Sequence, residues 1–397
     1  MVDGLQRRLK LSLLIIRADW YNATPAIARA IEAGSRVFRE HYVLCWDRTG
    51  QRQIPRDIEG VRQVKVFNST GGFRSINMLI QTFRFQIWAF KYMRRLNVHY
   101  IQALDIESML PAVLMAIIFR KKVIYDIRDP AAIDMRSLSY VFKLNGSVIG
   151  KMLDRLLYTL DWFLIGQSSG IILPNKYLID YLGRWKLKKK LFIMPNTCHD
   201  YFQNIGGREQ FVKKKRVGVT TMAYLGSTGV DRGSNILVEL CLQNPQTFEL
   251  YIAGAIRNPD ELKLYEETGN IIVLGQLSYL DALSLICEVD AIPLLYNPEI
   301  EINRKLIPTK FYEAMMANTP VIVSKGMLAL ENEVISNNLG CAVNYKNSEE
   351  IKSAIISVRE LNQENSDLIL HKYYLDHFRL SKFISRYTNF YSHIINH

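Results

Sequence analysis

Twice along the chain, short fully apolar runs alternate with longer amphipathic stretches. Strands that are apolar on both faces, separated by helical spacing, fit a parallel sheet covered by helices on both sides, an α/β fold. In the first half strands are expected at 10–16, 42–46, 61–67, 100–103, 122–127, 170–173 and 191–194. Helices are expected at 25–33 (closed by Gly34), 75–96, 107–120 and, with a break near Asn145-Gly146, 138–164. The alternation restarts with strands at 220–225, 248–253, 271–274, 290–295, 321–323 and 341–344. Helices there are expected at 234–242, 280–288 and 330–337, from 349, and over 366–397. Between the halves, 196–216 is polar, holds Gly206-Gly207 and ends in a basic run, and it reads as a linker. A chain of 397 residues is too long for one ordinary core. The expected division is a first domain at 1–195, the linker at 196–216, a second domain at 217–370 and a C-terminal helix at 371–397.

The composition, 49% apolar, is that of a folded chain. The longest apolar run, 109–119, is far short of a membrane span, and the N-terminus lacks the features of a signal peptide. Five cysteines with no paired spacing predict a reducing, cytoplasmic setting and argue against a disulfide framework. The histidines show no zinc-binding pattern and there is no Asp-x-Asp, so neither a metal nor another cofactor is expected. Charge is uneven: residues 1–200 carry 31 Lys+Arg against 16 Asp+Glu, and the remainder 19 against 22. Such a basic half suits nucleic acid, an anionic membrane, a phosphorylated substrate or plain solubility. No RNA-binding signature accompanies it, and nucleic acid is not expected as a partner. The stretch 75–96 sets Arg84, Lys91, Arg94 and Arg95 among aromatic residues. That helix serves a core as readily as an anionic membrane surface, the latter predicting peripheral association with the inner membrane face.

The densest stretch, 303–324, reads as a loop, a short helix and a buried strand. Either Pro308 or Thr309 opens the helix, Pro because it has no N–H to leave unpaired there. Asn318 stands where a left-handed residue ends a helix, and Pro320 cannot continue it. A helix start favours an anion through its free N–H groups, and Lys310 adds a charge. Thr309 and Glu313 share a face. Glu313 is the only acid between Glu301 and Glu331, and a carboxylate suits a sugar diol.

Other loops follow predicted strands, where open sheets bind ligands. Gly226-Ser227-Thr228-Gly229-Val230-Asp231-Arg232-Gly233 lets backbone approach a ligand and offers Arg232 to a diphosphate. Its spacing is neither the dinucleotide fingerprint nor a P-loop. Gly254-Ala255 and Gly275-Gln276 close the next two strands. In the first half, Arg17 and Asp19 follow the first strand, and Asp105-Ile106-Glu107 ends the strand at 100–103. Tyr125-Asp126-Ile127-Arg128-Asp129 ends the strand at 122–127, as an Arg–Asp pair or as a ligand contact.

Glu313-Ala314-Met315-Met316-Ala317-Asn318-Thr319-Pro320-Val321-Ile322 resembles the nucleotide-sugar motif of retaining glycosyltransferases of family 4. In that motif two Glu stand eight residues apart. Glu313 falls on the second, Lys305 stands at the first, and Asn318 replaces a Gly. Pro308-Thr309-Lys310 looks like a form of this loop found in some branches. Met194-Pro195-Asn196 resembles the close of the family's first domain. In the glycine loop Gly226 and Gly233 match, Arg232 stands for a Lys and Ser227 for an Arg.

The resemblance implies the GT-B fold, two Rossmann-like domains facing a central cleft, with the last helix crossing back to the first. It implies transfer of a sugar from a nucleotide-diphosphate donor to a saccharide or lipid-linked acceptor, with retention, in surface polysaccharide or glycoconjugate synthesis. Glu313 would hold the ribose, and Arg232 and Lys310 the diphosphate. Arg128 would stand for a His on the donor sugar, Asp105 would contact acceptor or sugar, and Arg17 would lie beside the transferred phosphate. Gly226, Ser227, Gly229, Gly254, Gln276, Pro308 and Thr309 would line the nucleotide. Glu299 and Glu301 are candidates for the missing first Glu. Two other readings stay open: a nucleotide-sugar epimerase on the same fold, and a non-catalytic nucleotide-sugar-binding subunit, the latter motivated by Lys305 and Ser227.

Overall fold

The computed structural model describes residues 11–396 apart from 21–24, 51–58, 71–75, 134–138, 140–141, 145, 206–209, 213–216, 257–262, 264, 266 and 365–367. The expected break at Asn145, the pair Gly206-Gly207 and the basic run of the linker lie outside the described residues. The chain forms two compact units, Met1–Pro195 with Ser381–His397, and Asn196–Leu380.

The first unit is built on one parallel sheet of seven strands: β1 (Ser12–Arg17), β2 (Glu40–Asp47), β3 (Gln63–Asn68), β4 (Tyr100–Leu104), β5 (Lys122–Asp126), β6 (Gly170–Leu173) and β7 (Lys190–Ile193). Their order is β3-β2-β1-β4-β5-β6-β7. The reversal between β1 and β4 is the switch point at which open sheets leave a crevice beyond the strand ends. The helices are α1 (Ala26–Gly34), α2 (Ile76–Met93), α3 (Asp105–Phe119) and α4 (Val148–Gln167). Trp46 of β2 stacks on Phe85 of α2 with centroids 5.7 Å apart, so aromatic residues fix this helix to the sheet. Gly34 is still helical in α1, and Ser35 follows as its cap. Its missing side chain serves packing, because a Cβ there would meet His41 Nε2 at 2.6 Å. A run of 3-10 turns at Lys176–Leu187 lies where no element was expected.

The second unit repeats the scheme with β8 (Thr220–Leu225), β9 (Phe248–Ala253), β10 (Ile271–Gly275), β11 (Ile292–Leu294), β12 (Val321–Ser324) and β13 (Gly340–Val343). These form two parallel ladders, β10-β9-β8 and β11-β12-β13. A parallel bridge from Met222 to Ala291 joins them edge to edge. Asp290 secures that seam: its Oδ2 accepts from the Thr221 N–H and Oγ1, both at 2.8 Å. The order therefore reverses again, between β8 and β11. The helices are α5 (Phe202–Ile205), α6 (Ser234–Gln243), α7 (Tyr279–Glu288), α8 (Glu301–Lys305), α9 (Thr309–Met316), α10 (Leu328–Ser336), α11 (Ser348–Glu364) and α12 (Ile369–His377).

Two expectations need correction. The stretch before Pro308, read as a loop, contains the short helix α8, and the helical tail is broken in two. Phe378 leaves the helix and packs against Phe311 and Tyr312, with centroids 5.8 and 4.9 Å away. Residues 371–380 thus stay with the second unit, and only the last helix, α13 (Ser381–Asn396), lies in the first. There Phe390 stacks on Phe192 of β7, and Tyr391 donates to Gln102 of β4 at 2.5 Å.

Candidate functional site

In the second unit the loops after β8, β9 and β10 are laced together by backbone hydrogen bonds. Gly226 N–H donates to the Ala253 carbonyl at 2.8 Å, Thr228 N–H to that of Ala255 at 3.0 Å, and Gly254 N–H to that of Gly275 at 2.7 Å. Glycine is required where these loops touch. A Cβ on Gly254, whose φ is +138°, would lie 2.2 Å from the Gly226 carbonyl. A Cβ on Gly233, at φ +72°, would lie 2.1 Å from the Leu295 carbonyl. The loop from Gly226 to Gly233 is thus pressed onto the strand ends, with Ser227 and Gly229 partly covered and Arg232 exposed. The Arg232 guanidinium lies 5.8 Å from the centre of the Tyr296 ring. Gln276, just beyond β10, is exposed at the same edge.

Asn303 ties this loop to the 303–324 stretch. From α8, 7% exposed, its Nδ2 donates to the carbonyls of Asp231 at 3.2 Å and Asn297 at 2.9 Å. Three residues after α8, Pro308 occupies the cap position of α9 in an extended conformation and makes no side-chain cap bond, so Thr309 is the first helical residue. One turn on, Glu313 is 1% exposed and its Oε2 lies 2.7 Å from Lys310 Nζ. A buried carboxylate needs such a partner. Asn318 adopts the left-handed conformation expected of it, at φ +60°. Its side-chain oxygen also accepts from the N–H groups of Leu370 and His371, at 3.1 and 3.2 Å. The residue that replaces a Gly therefore closes α9 and caps α12 together. Lys305 pairs with Glu301 at 2.9 Å, and Glu299 is bonded to Lys346.

Sequence reading missed Tyr279, at the start of α7. The residue is 42% exposed, and the surroundings of its hydroxyl raise the pKa above the usual phenol range, chiefly by partial desolvation and then by the Glu313 charge and the Cys198 thiol. The capping pair Ser278–Asp281, with Asp281 N–H donating to Ser278 Oγ at 3.2 Å, was the signal that a helix starts there just after a strand. Asn303 carried no such signal.

The remaining candidates sit at strand ends of the first unit. Arg17, the last residue of β1, lies 3.9 Å from Asp19. Asp105 opens α3 at φ +61°, and its Oδ1 accepts from the N–H groups of Arg128 and Asp129 at 3.0 and 3.2 Å. It thus holds the loop after β5 in shape. Arg128 is 7% exposed, with Nε 2.7 Å from Asp126 Oδ1 and Nη2 donating to Oδ2 at 3.0 Å. Burial alone would lower its pKa, but the Asp126 charge outweighs that and raises it. The Arg–Asp pair read from this segment is thus formed at the end of β5. Among the described residues, no group of three His, Cys, Asp or Glu side chains is placed to hold a metal ion.

Residues 221–360 match the family described as Glycosyl transferases group 1. No curated protein matches the chain. Among solved structures, sucrose-phosphate synthase from Thermosynechococcus elongatus aligns with a TM-score of 0.75 at 13% identity, covering 98% of this chain and 100% of its own. The Anabaena protein HepE, in complex with UDP-glucose, aligns with a TM-score of 0.64 at 12% identity, covering 96% of this chain and 98% of its own. UDP-N-acetylglucosamine 2-epimerase from Rickettsia bellii aligns at 0.61 and 13% identity, covering 98% of each chain. The shared architecture fixes the fold, and the segment that matches the glycosyltransferase family holds the glycine loop and the Lys310–Glu313 helix. On both counts the protein is a glycosyltransferase of the GT-B fold.

Proposed function

We propose that the protein moves a sugar, with retention of configuration, from a nucleotide-diphosphate donor to a hydroxyl of a saccharide or lipid-linked acceptor in glycoconjugate synthesis. The observation that carries this is the joined pair of loops in the second unit: the Gly226–Gly233 turn, bound through Asn303 to the segment that leads into Lys310 and Glu313. Glu313, fixed by Lys310, is the group for the ribose diol. As the glycosidic bond breaks, negative charge builds on the departing diphosphate. Arg232, Lys310 and the N–H groups at the start of α9 are the groups to stabilise it. The departing phosphate oxygen takes the acceptor's proton, so no side chain need form a covalent intermediate. Glu301, held beside Lys305, returns a carboxylate to the neighbourhood where a first Glu was expected.

UDP is the nucleotide to test first, since HepE is solved with UDP-glucose. UDP binding by calorimetry, followed by transfer from UDP-glucose to added acceptors with the product anomer read by NMR, tests the reading. Failure to bind UDP, GDP, ADP or CDP would overturn it in favour of a subunit without a donor site. Epimerases share the fold. Interconversion of UDP-N-acetylglucosamine with its 2-epimer, without acceptor, would favour that activity instead.

A further inference from the structure

The outer faces of three helices in the first unit are apolar where water should meet them. On α4, Val148, Met152, Leu156, Leu160 and Phe163 recur at helical spacing, and Met152 and Leu156 are 68% and 63% exposed. A stripe of this length runs about 22 Å along the helix. The neighbouring α3 adds exposed Leu114, Ile117 and Ile118, and α2 adds Ile80, Phe83 and Ile87. The three form one layer: α3 packs against both α2 and α4, and Phe90 and Phe119 meet with centroids 6.5 Å apart. Each helix therefore keeps one face inside the unit and turns a second apolar face outward. Patches of this extent mark an interaction surface.

The charges around it select the partner. Arg84, Lys91, Lys151 and Arg155 are exposed on these helices, followed by Arg94, Arg95 and Arg120. The acids are otherwise engaged. Asp161 is buried between the hydroxyls of Tyr125 and Tyr181, and Asp154 accepts from the Ser139 N–H at 2.9 Å. Asp105 and Glu107 stand in the first turn of α3, and α2 has none. A second copy of the chain would bring cation against cation, whereas an anionic bilayer complements both the apolar stripes and the basic residues between them.

We propose that the α2–α3–α4 layer seats the protein in the interface of an anionic lipid bilayer, with the α4 stripe as its deepest element. The docking stands on the first unit alone, and its link to a lipid-borne acceptor rests on the transfer reading above. The full chain is sedimented with vesicles of phosphatidylcholine, alone or with about 30% phosphatidylglycerol. The protein should partition onto the anionic vesicles several-fold more than onto neutral ones, and less so as salt rises. Met152→Glu with Leu156→Glu should cut binding about tenfold, and Lys151→Glu with Arg155→Glu should abolish the preference for anionic lipid. Both variants should keep the melting temperature and the nucleotide binding of the parent. Absence of vesicle binding, equal binding to neutral lipid, or binding unchanged in both variants would overturn the proposal. So would a lipid-free dimer that the Met152/Leu156 variant dissolves, since a second copy would then cover the face. Nucleotide binding lost while vesicle binding persists would sink the transfer reading alone.

Discussion

The side-chain amide of Asn303 donates to the carbonyl of Asp231 at 3.2 Å, across 72 residues of sequence. Through this bond the glycine loop after β8 and the segment that leads into α9 become one assembly. Asn303→Ala takes one donor from each of two carbonyls that keep a backbone donor, Asp231 from the Asn297 N–H and Asn297 from the Ile300 N–H, and should cost about 1 kcal/mol of stability. Donor-nucleotide affinity should fall about tenfold, measured by calorimetry beside a thermal melt. Unchanged affinity would separate the two loops functionally.

Glu313 and Lys310 give a second prediction. Glu313→Gln keeps the shape of the side chain and removes its charge. Transfer measured as kcat/KM should fall by about 100-fold, roughly 2.7 kcal/mol of lost transition-state stabilisation. Lys310→Met leaves a buried carboxylate unpaired, so it should also lower the melting temperature.

Asn318 separates turn geometry from capping. Asn318→Gly keeps the left-handed turn and loses the cap on α12, at a cost of about 1 kcal/mol. Asn318→Leu loses both, and a larger drop in denaturation midpoint is expected. Equal midpoints for the two variants would show that the left-handed turn contributes nothing, and a Gly variant as stable as the parent would show the same of the cap.

Acid stability should depend on buried imidazole. His41 is buried and its pKa is lowered chiefly by that burial, against a partial rise from its contact with the Gly60 carbonyl. His99 shifts the same way, by burial and then by the Lys121 charge. A folded state that refuses a proton which the unfolded chain accepts near pH 6.5 loses stability as pH falls through that value. The slope is bounded by about 1.4 kcal/mol per pH unit for the one proton that His41 refuses, and the more exposed His99 adds less. His41→Gln should flatten the dependence between pH 7 and 5, read from denaturant midpoints.

The central strands were legible because they bury both faces and so read as largely apolar runs: Thr220–Leu225 and Phe248–Ala253 are where the pattern puts them. α8 was not legible, since Glu301–Lys305 is mostly polar and too short for local propensity to specify a helix. The split of the C-terminal tail was hidden for a different reason. The helical pattern runs through Phe378, whose ring is held by Phe311 and Tyr312 and whose carbonyl accepts from the Thr197 hydroxyl. Glu313 and Lys310 drew notice by their place at a helix start, and the glycines by their place after strands. The pairing of Arg128 with Asp126, two residues away, was one of the two readings its own segment offered, whereas the bond from Asn303 to Asp231 spans 72 residues and lies outside any local window.

The C-terminal helix has a consequence for the order of assembly. Gln102, in the middle of the first sheet, receives Tyr391 from 289 residues further along the chain. On the ribosome, residues 196–380 emerge and can complete their own unit before Tyr391 exists. The half that is synthesised first is therefore finished last, and its open sheet must wait, with Phe192 uncovered, until the helix that holds Phe390 and Tyr391 has been made.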